Sequence, residues 1–139
     1  MTDPVFVDTN ILVVAEDVRA GVKHSVARDL LLQLWQERSG IVSIQVLQEF
    51  YVTVTQKLKK PLAHAAAERI IDEYLTWRTV SNTPDLLRSA LRNKERYSLS
   101  FWDASVVAAA QAAGCKILYS EDLGDGHTYD SVKVVNPFR

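Results

Sequence analysis

The chain has 139 residues, 47% hydrophobic and 24% charged, a composition that lets one globular domain bury a core without staples. With 16 basic and 17 acidic residues the formal charge is −1, so no general basic field announces a nucleic-acid binder. The single Cys115 excludes an internal disulfide, and three scattered histidines argue against a Cys/His zinc site, as suits a reducing compartment.

The run Met1-Thr-Asp-Pro carries an acid where a secretory leader has basic residues. The longest apolar runs, Ile11 to Ala15 and Val106 to Ala110, are too short to span a bilayer. The expectation is a soluble cytoplasmic protein, one continuous domain over residues 1–139, without repeats or Pro/Gly-rich linkers.

Val5-Phe-Val is a short apolar run ending on Asp8, which suits a buried parallel strand. Thr9 and Asn10 open a helix over Ile11 to Glu16. Val26, Leu30 and Leu34, with Ala27, Leu31 and Trp35 beside them, repeat at helical spacing until Ser39-Gly40 stops them. Ile41-Val42 reads as a second strand. Leu47, Phe50, Tyr51, Val54 and Leu58 outline a third helix, which Pro61 ends. Ile70, Ile71, Tyr74 and Leu75 mark a fourth. Thr83-Pro84 has the cap-then-proline pattern of another helix start, followed by Leu87, Ala90 and Leu91. Ser100 opens a further helix to Ala113, with Gly114 as its stop. Lys116 to Tyr119 and Val132 to Val135 complete the strands.

Short apolar strands separated by helices imply an α/β sandwich around a mainly parallel sheet, with its site at the carboxyl ends of the strands. Those ends carry acids. Asp8 follows the first strand, and Asp122 follows the strand ending at Tyr119. Asp103 lies in the first turn of the helix opened by Ser100, and Glu49 lies early in the third helix. Carboxylates gathered at one rim repel one another and need either raised pKa values or a cation between them. Mg²⁺ and Mn²⁺ prefer such hard oxygen ligands, and the absence of a nucleophile–histidine pair favours metal-assisted hydrolysis.

Each acid also has a structural reading. Asp8 suits a turn or cap, and Asp122 a polar loop before Gly124. Ser100-Phe-Trp-Asp103 resembles a capping box with Asp in place of Glu, and Glu49 suits a solvated helix face.

The segments Phe6-Val-Asp-Thr-Asn-Ile-Leu12, Gln45-Val-Leu-Gln-Glu-Phe50, Phe101-Trp-Asp-Ala-Ser-Val-Val-Ala-Ala-Ala110 and Leu118-Tyr-Ser-Glu-Asp-Leu-Gly-Asp-Gly126, with the closing Val134-Val-Asn-Pro-Phe138, resemble in order those of the PIN-domain family. The likeness is greatest to its small bacterial members of the VapC toxin type. It implies a PIN-like α/β/α sandwich, and a Mg²⁺- or Mn²⁺-dependent ribonuclease acting on RNA. It further implies a homodimer and an antitoxin partner that blocks the acidic cleft. It assigns the metal to Asp8, Glu49, Asp103 and Asp122, with Asp8 and Asp103 the firmest ligands. Thr9, Asn10 and Ser120 would hold the carboxylates by hydrogen bonds. Glu121 and Asp125 compete with Asp122 for the fourth position.

Arg88, Arg92 and Arg96 fall on one helical stripe, suited to RNA phosphates or to a solvated face. Lys57, Lys59 and Lys60 suit an exposed helix end. Trp102 and Phe101 could stack on bases or anchor their helix, and His127 could move protons or stand in solvent. Trp35, Tyr51 and Tyr74 lie on apolar stripes, as core or dimer-interface residues do. Two other functions stay open: a non-catalytic scaffold that binds RNA or protein, and a metal-dependent phosphatase. The latter lacks an Asp-x-Asp nucleophile pair and a Gly-rich phosphate loop.

Overall fold

A six-stranded sheet in the order β3-β2-β1-β4-β6-β5 forms the centre of the computed structural model, which describes residues 3–139. Met1 and Thr2, part of the N-terminal run read above, lie outside the described residues. The strands are β1 (Val5–Val7), β2 (Gly40–Ser43), β3 (Arg78–Val80), β4 (Ile117–Tyr119), β5 (Thr128–Tyr129) and β6 (Val132–Val135). Every neighbouring pair is parallel except β5 with β6. The flanking helices are α1 (Thr9–Val14), α2 (Val22–Glu37), α3 (Ile44–Val52), α4 (His64–Tyr74), α5 (Pro84–Tyr97) and α6 (Phe101–Ala112). This is the mainly parallel α/β sandwich that the apolar strand runs predict. No described helix is long and apolar enough to cross a membrane.

A parallel strand covered on both faces must be apolar throughout, and Phe6, Val7, Val42 and Leu118 are accordingly buried without trace of exposure. Three of the helices, α3, α5 and α6, begin where the sequence supplies hydroxyl caps. Ser43, Thr83 and Ser100 accept the N–H groups of Val46, Leu86 and Asp103, at 3.1, 3.1 and 3.2 Å. Helices that follow β1 and β2, and the helix that precedes β4, all start at the same rim, because each runs opposite to its neighbouring strand. Strand ends and helix starts therefore converge there.

Three local features differ from the sequence reading. The Ser39-Gly40 pair does not stop α2. Arg38 does, adopting a left-handed conformation (φ 55°) and donating its N–H to the Leu34 carbonyl. Gly40 instead opens β2 beneath an indole, since a Cβ there would lie 2.4 Å from the Trp77 ring. That ring packs with Trp35 and Tyr74, at centroid separations of 5.0 and 4.9 Å.

The third helix does not stay regular to Leu58. It ends at Val52 and widens into a π-turn over Thr53–Lys57, where the Thr55 hydroxyl donates to the Tyr51 carbonyl at 2.6 Å. The β-branched run Val52-Thr-Val-Thr55 crowds the preceding turn, and the wider turn relieves it. The strands β3 and β5, of three and two residues, are additions to the expected set.

Candidate active site

Parallel register sets the site. Val7 pairs with Tyr119, so the next residues, Asp8 and Ser120, stand side by side at the rim. The Asp8 N–H donates to the Tyr119 carbonyl at 3.0 Å. The Ser120 hydroxyl donates to Asp8 Oδ2 at 2.8 Å, and the Thr9 N–H to Oδ1 at 2.7 Å. Asn10 Nδ2 donates both to Asp8 Oδ2 (3.3 Å) and to Asp122 Oδ2 (3.1 Å), while its Oδ1 accepts the Glu121 N–H at 3.0 Å. Asp8 is thus both the cap of α1 and the centre of a polar cluster.

Only 6% of Asp8 is exposed, and its carboxyl is pushed up to about 6. Burial is the largest cause, and the charges of Glu49 and Asp122 add to it, while the bonds from Ser120 and Thr9 act in the opposite direction. Glu49 is held from its own helix, where Gln45 Nε2 donates to Glu49 Oε1 at 2.9 Å and to the Trp102 carbonyl at 3.3 Å. Gln45 so ties α3 to the first turn of α6, one residue before Asp103. The Asp103 carboxylate is half-buried, and its charge adds to burial in raising the Tyr129 phenol. Gln45 escaped the sequence reading, although its i,i+4 relation to Glu49 was the available signal.

Of the competitors for the fourth position, Asp122 alone shares a hydrogen-bond donor with Asp8. Glu121 pairs with Lys23, and Asp125 accepts the Asn136 N–H at 2.9 Å.

Among the described residues, no three of the acids stand close enough to hold a metal ion as a group. The donor chemistry nevertheless fits a hard divalent cation. Asp8 is a buried carboxylate facing two like charges, and the buried Thr9 hydroxyl beside it has no hydrogen-bond partner. The Asn10 amide bridges Asp8 and Asp122 with neutral donors, which leaves their charges without a cationic partner among the described residues.

The remaining candidates take ordinary places. Arg88 pairs with Asp85 at 3.0 Å, Arg96 with Asp130 at 3.1 Å, and Arg92 donates to the Ser89 hydroxyl. Lys57, Lys59 and Lys60 are exposed, as is His127, which packs against Gly124. Trp35 and Tyr74 pack in the core, and the Tyr51 hydroxyl lies 2.9 Å from His64 Nδ1. Phe101 is half-buried, whereas Trp102 is 61% exposed.

The Ser120 hydroxyl donates to Asp8 and accepts the N–H groups of Asp122 and Leu123, at 3.2 and 3.3 Å. Ser120→Ala should therefore cost about 1–3 kcal/mol of stability, since the buried Asp8 carboxylate loses a donor and the buried Leu123 N–H its acceptor. It should also raise the Asp8 carboxyl further, because a bond that favours its ionised form is gone. Thermal unfolding and a carboxyl-detected NMR titration measure the two effects.

Comparison with known families matches the PIN domain to residues 5–124. Comparison with curated proteins gives no match. Among solved structures, the chain is similar to VapC20 of Mycobacterium tuberculosis, described as a toxin that cleaves the sarcin–ricin loop. That likeness has 25% identity, 85% of this chain and 89% of the other covered, and a TM-score of 0.65. A toxin–antitoxin complex from Klebsiella pneumoniae matches at 21% identity over 97% and 98% of the two chains, with a TM-score of 0.67. FitAB bound to an IR36 DNA fragment matches at 17% identity over 97% and 96%, with a TM-score of 0.72. The last two likenesses concern the fold. With the family model matched over residues 5–124, most of its length, this chain belongs to the PIN-domain family.

Proposed function

We propose that this chain is a Mg²⁺- or Mn²⁺-dependent endoribonuclease that hydrolyses RNA phosphodiesters, and the toxin of a type II toxin–antitoxin pair. The observation that carries the reading is the buried Asp8 carboxylate, clamped by Ser120, Thr9 and Asn10 and facing the charges of Glu49 and Asp122. Stability alone gives no reason to bury such a charge among like charges. The resemblance to a toxin described as cleaving an RNA loop supports the substrate class.

In this reading Asp8, Glu49, Asp103 and Asp122 hold the divalent cation. When bound, the cation supplies a Lewis acid for a phosphodiester oxygen and lowers the pKa of a water. Ser120 and Asn10 fix the Oδ2 of Asp8, and Thr9 fixes its Oδ1, so the carboxylate reaches the substrate already oriented. Gln45 engages Oε1 of Glu49, which orients that carboxylate to complete the cation's site or to position its water.

The partners of this reading are the RNA substrate, a cognate antitoxin and a second copy of the chain in a homodimer. A toxin–antitoxin complex among the structural neighbours supports the antitoxin. Exposed apolar side chains such as Val52, Leu75 and Leu91 are surface that protein partners would cover.

The test is cleavage of a single-stranded RNA with and without metal. The wild-type protein should cut in Mg²⁺ or Mn²⁺ and not in EDTA. Asp103→Asn should lose the activity and keep the wild-type melting curve. Full activity in that variant would remove Asp103 from the site.

One observation favours a second reading, a scaffold that holds RNA or protein without cutting. It is the lack, among the described residues, of three acids grouped tightly enough for a metal. Calorimetry with Mn²⁺ separates the two, because a scaffold takes up no metal at millimolar concentration.

A further inference from the structure

Beside the acidic cluster, between the start of α3, the start of α5 and the first turn of α6, lies a cavity of about 460 Å³. Its walls combine two aromatic rings, Phe101 and Trp102, with three amide side chains, Gln45, Gln48 and Asn82, and no charged side chain lines it. The rings stand edge to face, 5.0 Å between centroids, and Trp102 leaves 61% of its surface exposed on the cavity rim. Gln45 is both a wall of this cavity and the hydrogen-bond partner of Glu49. The cavity and the acids thus share a side chain.

We propose that this cavity seats one unpaired base of the RNA, adjacent to the phosphodiester held at the acids, with Trp102 stacking on it and Gln48 and Asn82 reading its edge. The inference rests on the ribonuclease reading and adds a determinant of sequence preference to it. Three features point to a base and away from other ligands. A phosphate or carboxylate would need cations, and none line the cavity. A purely apolar segment would cover the Gln48 and Asn82 carboxamides, which line the cavity, without offering them a partner. A base is neutral and planar, and its edge carries both donors and acceptors. It therefore matches an aromatic face flanked by carboxamides, the pattern by which single-stranded RNA is read. The dimensions agree, since the volume admits one nucleotide and excludes a duplex.

Trp102 is the position at which the proposal is most exposed to test, because its ring is largely in solvent and its loss leaves no hole in the core. The probes are four short single-stranded homopolymers, of A, C, G and U, titrated in EDTA so that binding is read without cleavage. The wild-type protein should prefer one of them, with quenching of tryptophan fluorescence on binding. Trp102→Ala should weaken that preferred ligand about tenfold, as the loss of one stacked base does, and Trp102→Phe should restore most of the affinity. Gln48→Leu with Asn82→Leu should keep binding and flatten the preference among the four. Sedimentation of each variant accompanies the titrations.

Equal affinity of wild type for all four probes, or no binding of any, overturns the proposal. So does an unchanged affinity in Trp102→Ala. A loss of affinity in Trp102→Ala that coincides with dissociation of a dimer also overturns it, because the cavity would then be an interface with a second copy. The nuclease reading fails independently, when metal-loaded wild-type protein leaves RNA intact whatever its base preference.

Discussion

Asp8→Asn should make the protein more stable at neutral pH while reducing RNA cleavage below detection. The carboxyl of Asp8 has a folded-state pKa of about 6 against an ordinary value of 3.8. Folded protein therefore binds this proton more tightly than unfolded chain does. The stability linked to it is fully present below pH 4 and is lost as the pH rises through 6. A shift of that size corresponds to about 3 kcal/mol, or on the order of 10 °C in melting temperature, with part offset by re-pairing of the new amide.

Asparagine keeps the shape and removes the charge. Measured in EDTA, the variant should melt above wild type at pH 7.5, and the gap should close by pH 4. A gap that is constant with pH would show that the Asp8 charge carries no such cost. Adding Mn²⁺ should stabilise wild type and leave the variant unmoved, and the metal effect should weaken below pH 6, where a proton competes for Asp8.

Gly40→Ala should cost about 1–3 kcal/mol, the range for overpacking a dense core, without touching the acids. The added methyl would sit 2.4 Å from the Trp77 ring, and that ring is wedged against Trp35 and Tyr74. Nothing in the cluster is a flexible side-chain tip that can swing away. Trp77→Leu alone should also destabilise, by opening a cavity. The two together should cost less than their sum, since the smaller side chain leaves room for the methyl. Strict additivity in denaturant melts would mean that the indole does not press on Gly40.

The features that sequence made legible are those with a local cause. The runs Val5 to Val7 and Lys116 to Tyr119 read as strands, and hydroxyl caps at Thr83 and Ser100 marked helix starts to the residue. Asp8 stood out because it follows a strand directly, and Asp122 because it lies in the Ser120-Glu-Asp segment after the strand ending at Tyr119. The strands β3 and β5 were not legible, because Arg78-Thr-Val and Thr128-Tyr are too short to show periodicity and exist only through pairing with β2 and β6. Gly40 was read as punctuation when its cause is an indole 37 positions away. Glu121, Asp122 and Asp125 differ in their partners, Lys23, Asn10 and the Asn136 backbone, two of which are distant in sequence. Gln45 illustrates the same limit, since its link to the Trp102 carbonyl spans 57 residues.

The Ser120 bond to Asp8 and the Asn10 bond to Asp122 each join residues 112 positions apart. Such closures are slow, because a long loop must be ordered before the contact repays it. They also impose an order on biosynthesis. A chain emerging from the ribosome N-terminus first exposes Asp8 long before β4 exists, and until β4 docks beside β1 that carboxylate is an ordinary solvated acid. Asp122 is delivered by the loop after β4, so the Asp8 carboxylate is spared that repulsion until the two strands pair.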